Sequence, residues 1–133
     1  MPYFSVCIPL FNKANFITET LRSVLDQEFL DFEIIVCDDG STDDSAKKVA
    51  QFDDDRIKLF KQTNQGASAA RNRAIKESTG EYIAFLDADD LWYREHLSHL
   101  EYLINNYEDA KLLATNYEIQ MADDKKRYPF FSK

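Results

Sequence analysis

Short apolar runs alternate with helical segments along most of this 133-residue chain. We predict a strand for each of four runs that are brief, apolar and rich in strand-forming residues: Phe4–Pro9, Phe32–Cys37, Ile57–Phe60 and Tyr82–Leu86. Helical patterns separate them, and the clearest begins near Asn15, where apolar residues recur at i, i+4, i+7 and i+8. A second helix is predicted to end near Phe52, and a third covers Ala67–Glu77, with Gly80 expected to close it. This order favours an α/β fold, a mostly parallel sheet with helices on both faces.

The remainder of the chain has weaker signals. Apolar residues at helical spacing predict a fourth helix: Leu97, Leu100, Ile104 and Tyr107. Lys111–Thr115 is predicted as a fifth strand, and after Met121 the sequence is polar, mixed in charge and without periodicity. No glycine- or serine-rich linker interrupts the chain, and its length suits one core, so we predict a single domain over residues 1–133.

Charge and composition exclude several classes of protein. A net charge of −8 opposes a nucleic-acid-binding face, which has to neutralise phosphates with lysine and arginine. No run approaches the roughly 18 apolar residues that a membrane-spanning helix needs, and Met1–Ser5 does not begin a signal peptide. We therefore expect a cytoplasmic chain, with any membrane association left to a part outside it. Cys7 and Cys37 lie inside predicted strands and are expected to be buried, reduced thiols.

Segments that contain polar residues follow three of the predicted strands. They are Pro9–Asn12 after the first strand, Asp38–Asp43 after the second and Asp87–Asp90 after the fourth. The carboxyl ends of parallel strands share one edge of a sheet, and ligands bind at that edge where the topology changes direction. The sequence therefore predicts a single site built from all three clusters.

Asp87 and Asp89 are two residues apart, so in an extended chain both carboxylates face one point. Mg²⁺ is commonly held by one or two protein carboxylates, with substrate phosphates and water completing its coordination shell. The pair therefore suits a metal that joins the protein to a diphosphate. A structural interpretation is equally compatible, in which the strand ends there and Asp89 or Asp90 caps the next helix.

Asp38 and Asp39 end a buried strand, where two carboxylates repel each other unless they have partners. Hydrogen-bond donors of a base or a ribose would supply such partners, although a plain strand-to-helix turn around Gly40 explains the same residues. Arg71 and Arg73, on the helix of small residues, are basic side chains expected near this acidic edge. Either arginine can pair with a diphosphate, with the carboxylates or with solvent.

Together these segments resemble the family 2 inverting glycosyltransferases. The resemblance rests on motifs that occur in the family's order: Val6–Asn12, Ile35–Asp43, Asn64–Gly66, Ala70–Asn72 and Gly80–Asp90. It implies a Rossmann-like GT-A fold, a nucleoside-diphosphate-sugar donor that is most often a uridine diphosphate sugar, and Mn²⁺ or Mg²⁺ as cofactor. The acceptor would be a saccharide or another hydroxyl compound. The chain is similar to the N-terminal, nucleotide-sugar-binding portion of such an enzyme.

The same resemblance implies roles for single residues. The nucleotide sugar would be held by Pro9, Phe11, Asp38, Asp39, Arg71 and Asp87. Within that set Asp39 resembles the residue that recognises the base, with Pro9 and Phe11 lining its pocket. Asp87 would contact the ribose or the metal, and Asp89 would bind the metal with it. Phe11 stands where tyrosine is more usual, which removes a hydroxyl from that position.

In this family a general base on the acceptor-binding half activates the acceptor hydroxyl. We expect that base downstream of this chain, so that the chain binds donor but transfers sugar poorly or not at all. A sugar nucleotidyltransferase is a weaker alternative, since it usually has a glycine-rich basic loop after its first strand. A receiver domain would have its acidic pair after the first strand. A non-catalytic nucleotide-binding or assembly module is compatible with the same residues.

Overall fold

A computed structural model of the chain describes residues 1–120 and 126–127. The chain forms two compact units, Met1–Leu97 and Ser98–Lys133. The elements of the first unit are β1 (Phe4–Leu10), α1 (Ile17–Leu25), β2 (Phe32–Asp38), α2 (Ser45–Ala50), β3 (Ile57–Lys61), α3 (Ala67–Glu77) and β4 (Tyr82–Phe85). They are followed by α4 (His96–Asn106), β5 (Ile119–Gln120) and β6 (Lys126–Arg127). The predicted strands β1 to β4 and the predicted helices are confirmed, while the single-domain assignment stays a prediction.

The strands of the first unit form one parallel sheet in the order β3-β2-β1-β4. β2 pairs with β1 along its whole length, ending with Leu10 opposite Asp38. β4 pairs with the other side of β1, beginning with Tyr82 opposite Phe4. The chain therefore moves outward from β1 to β3 and then crosses back, and right-handed crossovers place α3 on the face opposite α1 and α2. The α/β prediction is confirmed, and the switch point of the topology lies between β1 and β4.

Both faces of the sheet are buried. On one face, a cluster of Cys7, Ile35 and Cys37 packs against Ala70 and Ala74 of α3, whose small side chains allow a close approach. Strand residues that point the other way are equally buried, as are the apolar residues of α1: Val6, Ile8, Ile34, Val36, Ile17, Leu21 and Val24. Burial on both faces explains why β1 and β2 are almost continuously apolar instead of alternating. The two cysteines are free and buried, as predicted.

A carboxylate is buried at the amino-terminal end of the sheet. Glu33 of β2 is 4% exposed, and one of its oxygens accepts hydrogen bonds from the Ser5 hydroxyl and from the Thr79 N–H, each at 2.6 Å. Its other oxygen forms an ion pair with Lys58 Nζ at 2.7 Å. These contacts join β1, β2, β3 and the α3–β4 connection at the edge remote from the polar clusters.

Gly80 has a different role from the predicted helix cap. The helix α3 ends at Glu77, and Ser78 follows in an extended conformation with ψ of 142°. Gly80 lies against β1, where an added Cβ would come within 2.6 Å of Ser5 Oγ. The position requires glycine because a strand leaves no room for a side chain.

The predicted strand at Lys111–Thr115 is wrong. Residues 111–118 form no strand, and Leu112 is 84% exposed. An apolar run becomes a strand where a neighbour supplies backbone hydrogen bonds, and none of the described strands pairs with this run. The strands described in the second unit, β5 and β6, pair in an antiparallel ladder, with Ile119 opposite Arg127. The predicted change after Met121 falls largely outside the described residues. Within the described part of the chain, no helix has the length and apolar character needed to cross a membrane.

Candidate functional site

The loops that follow β1 and β2 are bonded to each other at the carboxyl-terminal edge of the sheet. Asp39 donates its backbone N–H to the Leu10 carbonyl at 2.8 Å. The Asn12 side-chain oxygen accepts from the Thr42 N–H at 2.8 Å, and the Asn12 N–H donates to the Ser41 hydroxyl at 3.0 Å. Asn12 has a positive φ of 51°, which asparagine tolerates better than most residues. The first two polar clusters therefore meet, as predicted.

Asp39 is 2% exposed and anchors the start of α3. One carboxylate oxygen accepts hydrogen bonds from the Gln62 side chain at 2.7 Å and from the Gln65 N–H at 2.9 Å. The other oxygen accepts from the Gly66 N–H at 2.8 Å. Burial alone would raise the pKa of Asp39, but these hydrogen bonds outweigh it and hold the pKa below its usual value. Asp39 is therefore an ionised acceptor at neutral pH.

The chain itself supplies partners for both carboxylates, as the turn interpretation of Asp38 and Asp39 requires. Asp38, which is 4% exposed, accepts a hydrogen bond from the Ser41 N–H at 3.2 Å and closes its own turn. On Asp39, three of about four lone-pair positions are occupied, so one position remains on the oxygen bonded to Gly66. Asp39 can accept one further hydrogen bond while it still holds α3.

Pro9 and Phe11 flank Leu10 at the end of β1. Pro9 is half-buried and lies opposite Cys37 of β2. Phe11 follows the strand with 44% of its surface exposed. The Leu10 carbonyl is bonded to the Asp39 N–H, so the backbone between Pro9 and Phe11 lies beside the backbone of Asp39. An exposed ring in this position can cover the flat face of a ligand.

The segment after β4 is a turn. The Asp90 N–H donates to the Asp87 carbonyl at 3.1 Å, with Ala88 buried and Asp89 exposed. The backbone is not extended here, because the pairing of β4 with β1 ends before the acidic residues, so the spacing argument that needs an extended chain does not apply. Asp87 and Asp89 are nevertheless both exposed. The helix α4 begins at His96, so Asp89 and Asp90 do not cap it.

Two cations form ion pairs with Asp87 and Asp89 of this turn. A guanidinium nitrogen of Arg71 on α3 lies 2.7 Å from Asp87 Oδ1. Lys13, in the loop after β1, has its Nζ 2.7 Å from Asp89 Oδ2, and this hydrogen bond raises the pKa of Lys13. Between 39% and 52% of each side chain is exposed. Ion pairs this open contribute little to stability and can exchange partners.

The ion pair of Lys13 crosses the switch point of the sheet. It joins the carboxyl end of β1 to that of β4, the position at which open α/β sheets bind their ligands. Asp39 fixes the start of α3, and α3 carries Arg71 to the same turn. All three polar clusters therefore lie on one connected edge, as the sequence predicted.

The structure distinguishes the two candidate arginines and adds residues that the sequence analysis missed. Arg73 pairs with Glu77 on its own helix at 2.7 Å, whereas Arg71 reaches the acidic turn. Lys13 was not predicted, although a basic residue directly after the first strand was a usable signal. Gln62 was also missed, because no local pattern marks it as the partner of a carboxylate.

Asp87 and Asp89 are chemically suited to a hard divalent cation. Each carboxylate has one oxygen outside its ion pair, and both side chains are exposed. Within residues 1–120 and 126–127, no group of three or more acidic, histidine or cysteine side chains forms a more complete metal site. Two carboxylates are sufficient for Mg²⁺ when phosphate and water supply the other ligands.

Family comparison agrees with this geometry. The family model of Glycosyl transferase family 2 matches residues 5–131. The chain belongs to glycosyltransferase family 2. This family 2 chain is 40% identical over 119 residues to the Escherichia coli UDP-Glc:alpha-D-GlcNAc-diphosphoundecaprenol beta-1,3-glucosyltransferase, covering 86% of the chain and 46% of that enzyme. Among the curated relatives it matches, it spans 20% of one from Rickettsia conorii and 49% of one from Bacillus subtilis.

Solved structures of other glycosyltransferases share the fold. The S. aureus TarS 1-349 structure in complex with UDP-GlcNAc matches with a TM-score of 0.75 and 34% identity, over 80% of the family 2 chain and 32% of the TarS 1-349 chain. The mannosyltransferase PcManGT from Pyrobaculum calidifontis, in complex with GDP-Man and Mn²⁺, matches with a TM-score of 0.71 and 32% identity. That match covers 77% of the chain and 32% of PcManGT. The family 2 chain therefore has the predicted GT-A fold.

Proposed function

We propose that this chain forms the donor-binding part of an inverting glycosyltransferase and holds a nucleoside-diphosphate sugar. The observation that carries the proposal is the pairing of Asp87 and Asp89 with Arg71 and Lys13 across the switch point. Carboxylates and cations placed side by side suit a ligand that combines a divalent metal with a diphosphate. The TarS complex with UDP-GlcNAc and the UDP-Glc in the name of the E. coli relative favour a uridine diphosphate sugar.

In this proposal Asp39 receives the base. Its remaining acceptor position, on the oxygen bonded to Gly66, suits the ring N–H of uracil. Phe11 covers the face of the base and Pro9 forms the adjoining wall. Asp38 contributes by holding the turn that presents Asp39.

Asp87 and Asp89 would hold Mn²⁺ or Mg²⁺, and Asp87 has a second possible role as the acceptor of a ribose hydroxyl. When bound, such a cation neutralises the charge that builds on the departing diphosphate, as a Lewis acid does. Arg71 and Lys13 leave their carboxylates and bind phosphate oxygens. Asp87, Asp89, Arg71 and Lys13 then each keep an opposite partner.

The proposal assigns donor binding to this chain and the general base to the acceptor-binding part of the whole protein. The chain spans 20% to 49% of the relatives compared above, so sugar transfer and the acceptor hydroxyl are proposed for the larger protein. We place the domain in the cytoplasm, where its two free cysteines would stay reduced.

Thermal unfolding with UDP, in the presence and absence of Mn²⁺, tests the proposal. A ligand at about a hundred times its Kd stabilises a fold by about 2.7 kcal/mol. For a chain of this size that corresponds to a rise in Tm of roughly 8 to 14 °C. We expect this rise with Mn²⁺, a much smaller one without it, and almost none in Asp89→Asn.

Asp90→Asn is the matched control, because it makes the same charge change in the same turn at a residue with no assigned role. It should keep the rise in Tm. An equal loss in both variants would contradict a specific role for Asp89. A wild-type chain that responds to no nucleoside diphosphate would refute donor binding.

A further inference from the structure

Polar side chains on one side of α1 face the segment that follows β4. Thr20 and Gln27 are 0% and 2% exposed, and Ser23 is half-buried between them. Their spacing of i, i+3 and i+7 places all three on the same side of the helix and its C-terminal extension. Polar side chains on a buried helix face need hydrogen-bond partners, so this row has a structural purpose.

The partners of this row are backbone groups between Ala88 and Leu97. The Thr20 hydroxyl donates to the Ala88 carbonyl at 2.9 Å. The Ser23 hydroxyl accepts from the Trp92 N–H at 3.2 Å. The Gln27 amide donates to the Tyr93 carbonyl at 2.6 Å and accepts from the Leu97 N–H at 2.9 Å. Residues 86–95 are neither helix nor strand, so their backbone groups depend on side chains such as these for partners.

The contact made by Thr20 reaches the centre of the acidic turn. In a turn from Asp87 to Asp90, the middle peptide joins Ala88 to Asp89, and its carbonyl is the one bonded to Thr20. Turns of types I and II differ by a flip of this peptide, and type II needs a positive φ at its third residue. Among the described non-glycine residues Asn12 alone has a positive φ, so Asp89 is not in the type II form.

We propose that Thr20 is a positioning residue for Asp87 and Asp89. By holding the Ala88 carbonyl toward α1, the Thr20 hydroxyl prevents the middle peptide from flipping and keeps both carboxylates exposed. The link to metal binding rests on the proposed function of this edge. The effect on the turn itself rests only on the hydrogen bonds of Thr20 and Asp90.

Thr20→Val and Thr20→Ser separate the hydroxyl from the space it fills. Valine has nearly the shape of threonine but cannot donate to Ala88, whereas serine keeps the donor. The measurement is the Kd of UDP by calorimetry without and with Mn²⁺. The Kd without Mn²⁺ divided by the Kd with Mn²⁺ is the ratio that reports the contribution of the metal. One neutral hydrogen bond changes an equilibrium by about threefold to tenfold. We expect the ratio to fall by that factor in Thr20→Val and to be kept in Thr20→Ser.

Ser5→Ala is the control for a general loss of stability. It removes a buried hydroxyl that donates to Glu33 at the opposite end of the sheet. We expect it to lower Tm while the ratio stays as in the wild type. A ratio that is unchanged in Thr20→Val, or that falls equally in Ser5→Ala, would overturn the proposal. If Thr20→Val does not fold, Thr20→Ala removes the same hydroxyl with less bulk, and the same fall is expected.

Hydrogen exchange gives a second measurement that needs no ligand. The Asp90 amide closes the turn, so its protection should drop in Thr20→Val and be retained in Thr20→Ser. If the wild-type chain binds no UDP with Mn²⁺, the proposed function fails while this measurement still tests Thr20. Equal protection of the Asp90 amide in all variants would show that Thr20 does not hold the turn.

Discussion

Replacing the buried carboxylate of Glu33 by an amide should remove a large part of the stability of this fold. Burial alone would raise the pKa of Glu33, but hydrogen bonds from Lys58, Ser5 and Thr79 outweigh it and lower the pKa from 4.5 to about 2. That difference corresponds to about 3 kcal/mol, at about 1.36 kcal/mol per pKa unit. The Glu33 side chain is 5% exposed, so solvent screens its contacts with Ser5 and Thr79 little, whereas Lys58 is 45% exposed and its ion pair is screened more, which makes this figure an upper value. We expect Glu33→Gln to lower the free energy of unfolding at pH 7 by up to about that amount.

The contribution of Glu33 to the free energy of unfolding should also depend on pH. A carboxyl whose pKa is lower in the folded state contributes its full stability above its ordinary pKa of 4.5. That contribution decreases as the pH falls from 4.5 toward about 2, and over half of it is gone by about pH 3. Urea unfolding followed by circular dichroism at pH 7 and pH 3 measures both values. The wild type and Glu33→Gln should differ strongly at pH 7 and much less at pH 3.

Glu28→Gln is the matched control, since Glu28 is an exposed glutamate. It should change the free energy of unfolding by less than about 0.5 kcal/mol at either pH. A loss below about 1 kcal/mol in Glu33→Gln at pH 7 would refute the assignment of a strongly stabilising carboxylate. An equal loss at pH 7 and pH 3 would show that packing rather than charge causes the effect.

Further predictions concern the site and its support. Asp39→Asn leaves the donors at the start of α3 short of an acceptor, so it should lower the free energy of unfolding in urea by about 1.5 to 3 kcal/mol. The same variant should bind UDP more weakly in calorimetry. Lys13→Gln removes the cation that competes with a metal for Asp89, so it should tighten the binding of Mn²⁺ alone by up to about fivefold in calorimetry. Weaker binding of Mn²⁺ in this variant would contradict that competition. Gly80→Ala places a Cβ within 2.6 Å of Ser5 Oγ and should cost about 1 to 3 kcal/mol, and an unchanged Tm would contradict that close contact.

The sheet and its helices were predictable because their signals are local. Phe32–Cys37 is apolar throughout since both faces of β2 are covered, and the observed strand extends one residue further, to Asp38. Ala67–Glu77 agrees with α3 at both ends, where Gly66, with φ of 96°, permits the turn into the helix. Periodicity and glycine conformation act within a few residues, so the sequence alone contains them.

The contacts of the site were not predictable from local patterns. Topology rules placed three polar clusters on one edge correctly, yet Asp39 is bonded to Gln62 from beyond β3, and Lys13 reaches Asp89 across 76 positions. Gly80 followed a helix and was therefore predicted as its cap, but a strand 75 positions earlier decides its role. Such partners depend on how distant elements pack, which no window of sequence contains.

The charges at the acidic edge explain why a metal and a diphosphate should bind together. In the structure Arg71 and Lys13 balance Asp87 and Asp89. A divalent cation that bound alone would leave two side-chain cations beside it without partners, and a diphosphate that bound alone would meet two carboxylates. When both bind, the carboxylates hold the metal and the cations hold the phosphates, so each of these four side chains keeps an opposite partner. The rise in Tm with UDP and Mn²⁺ together should therefore exceed the sum of the rises with each one alone, and a merely additive rise would contradict this exchange of partners.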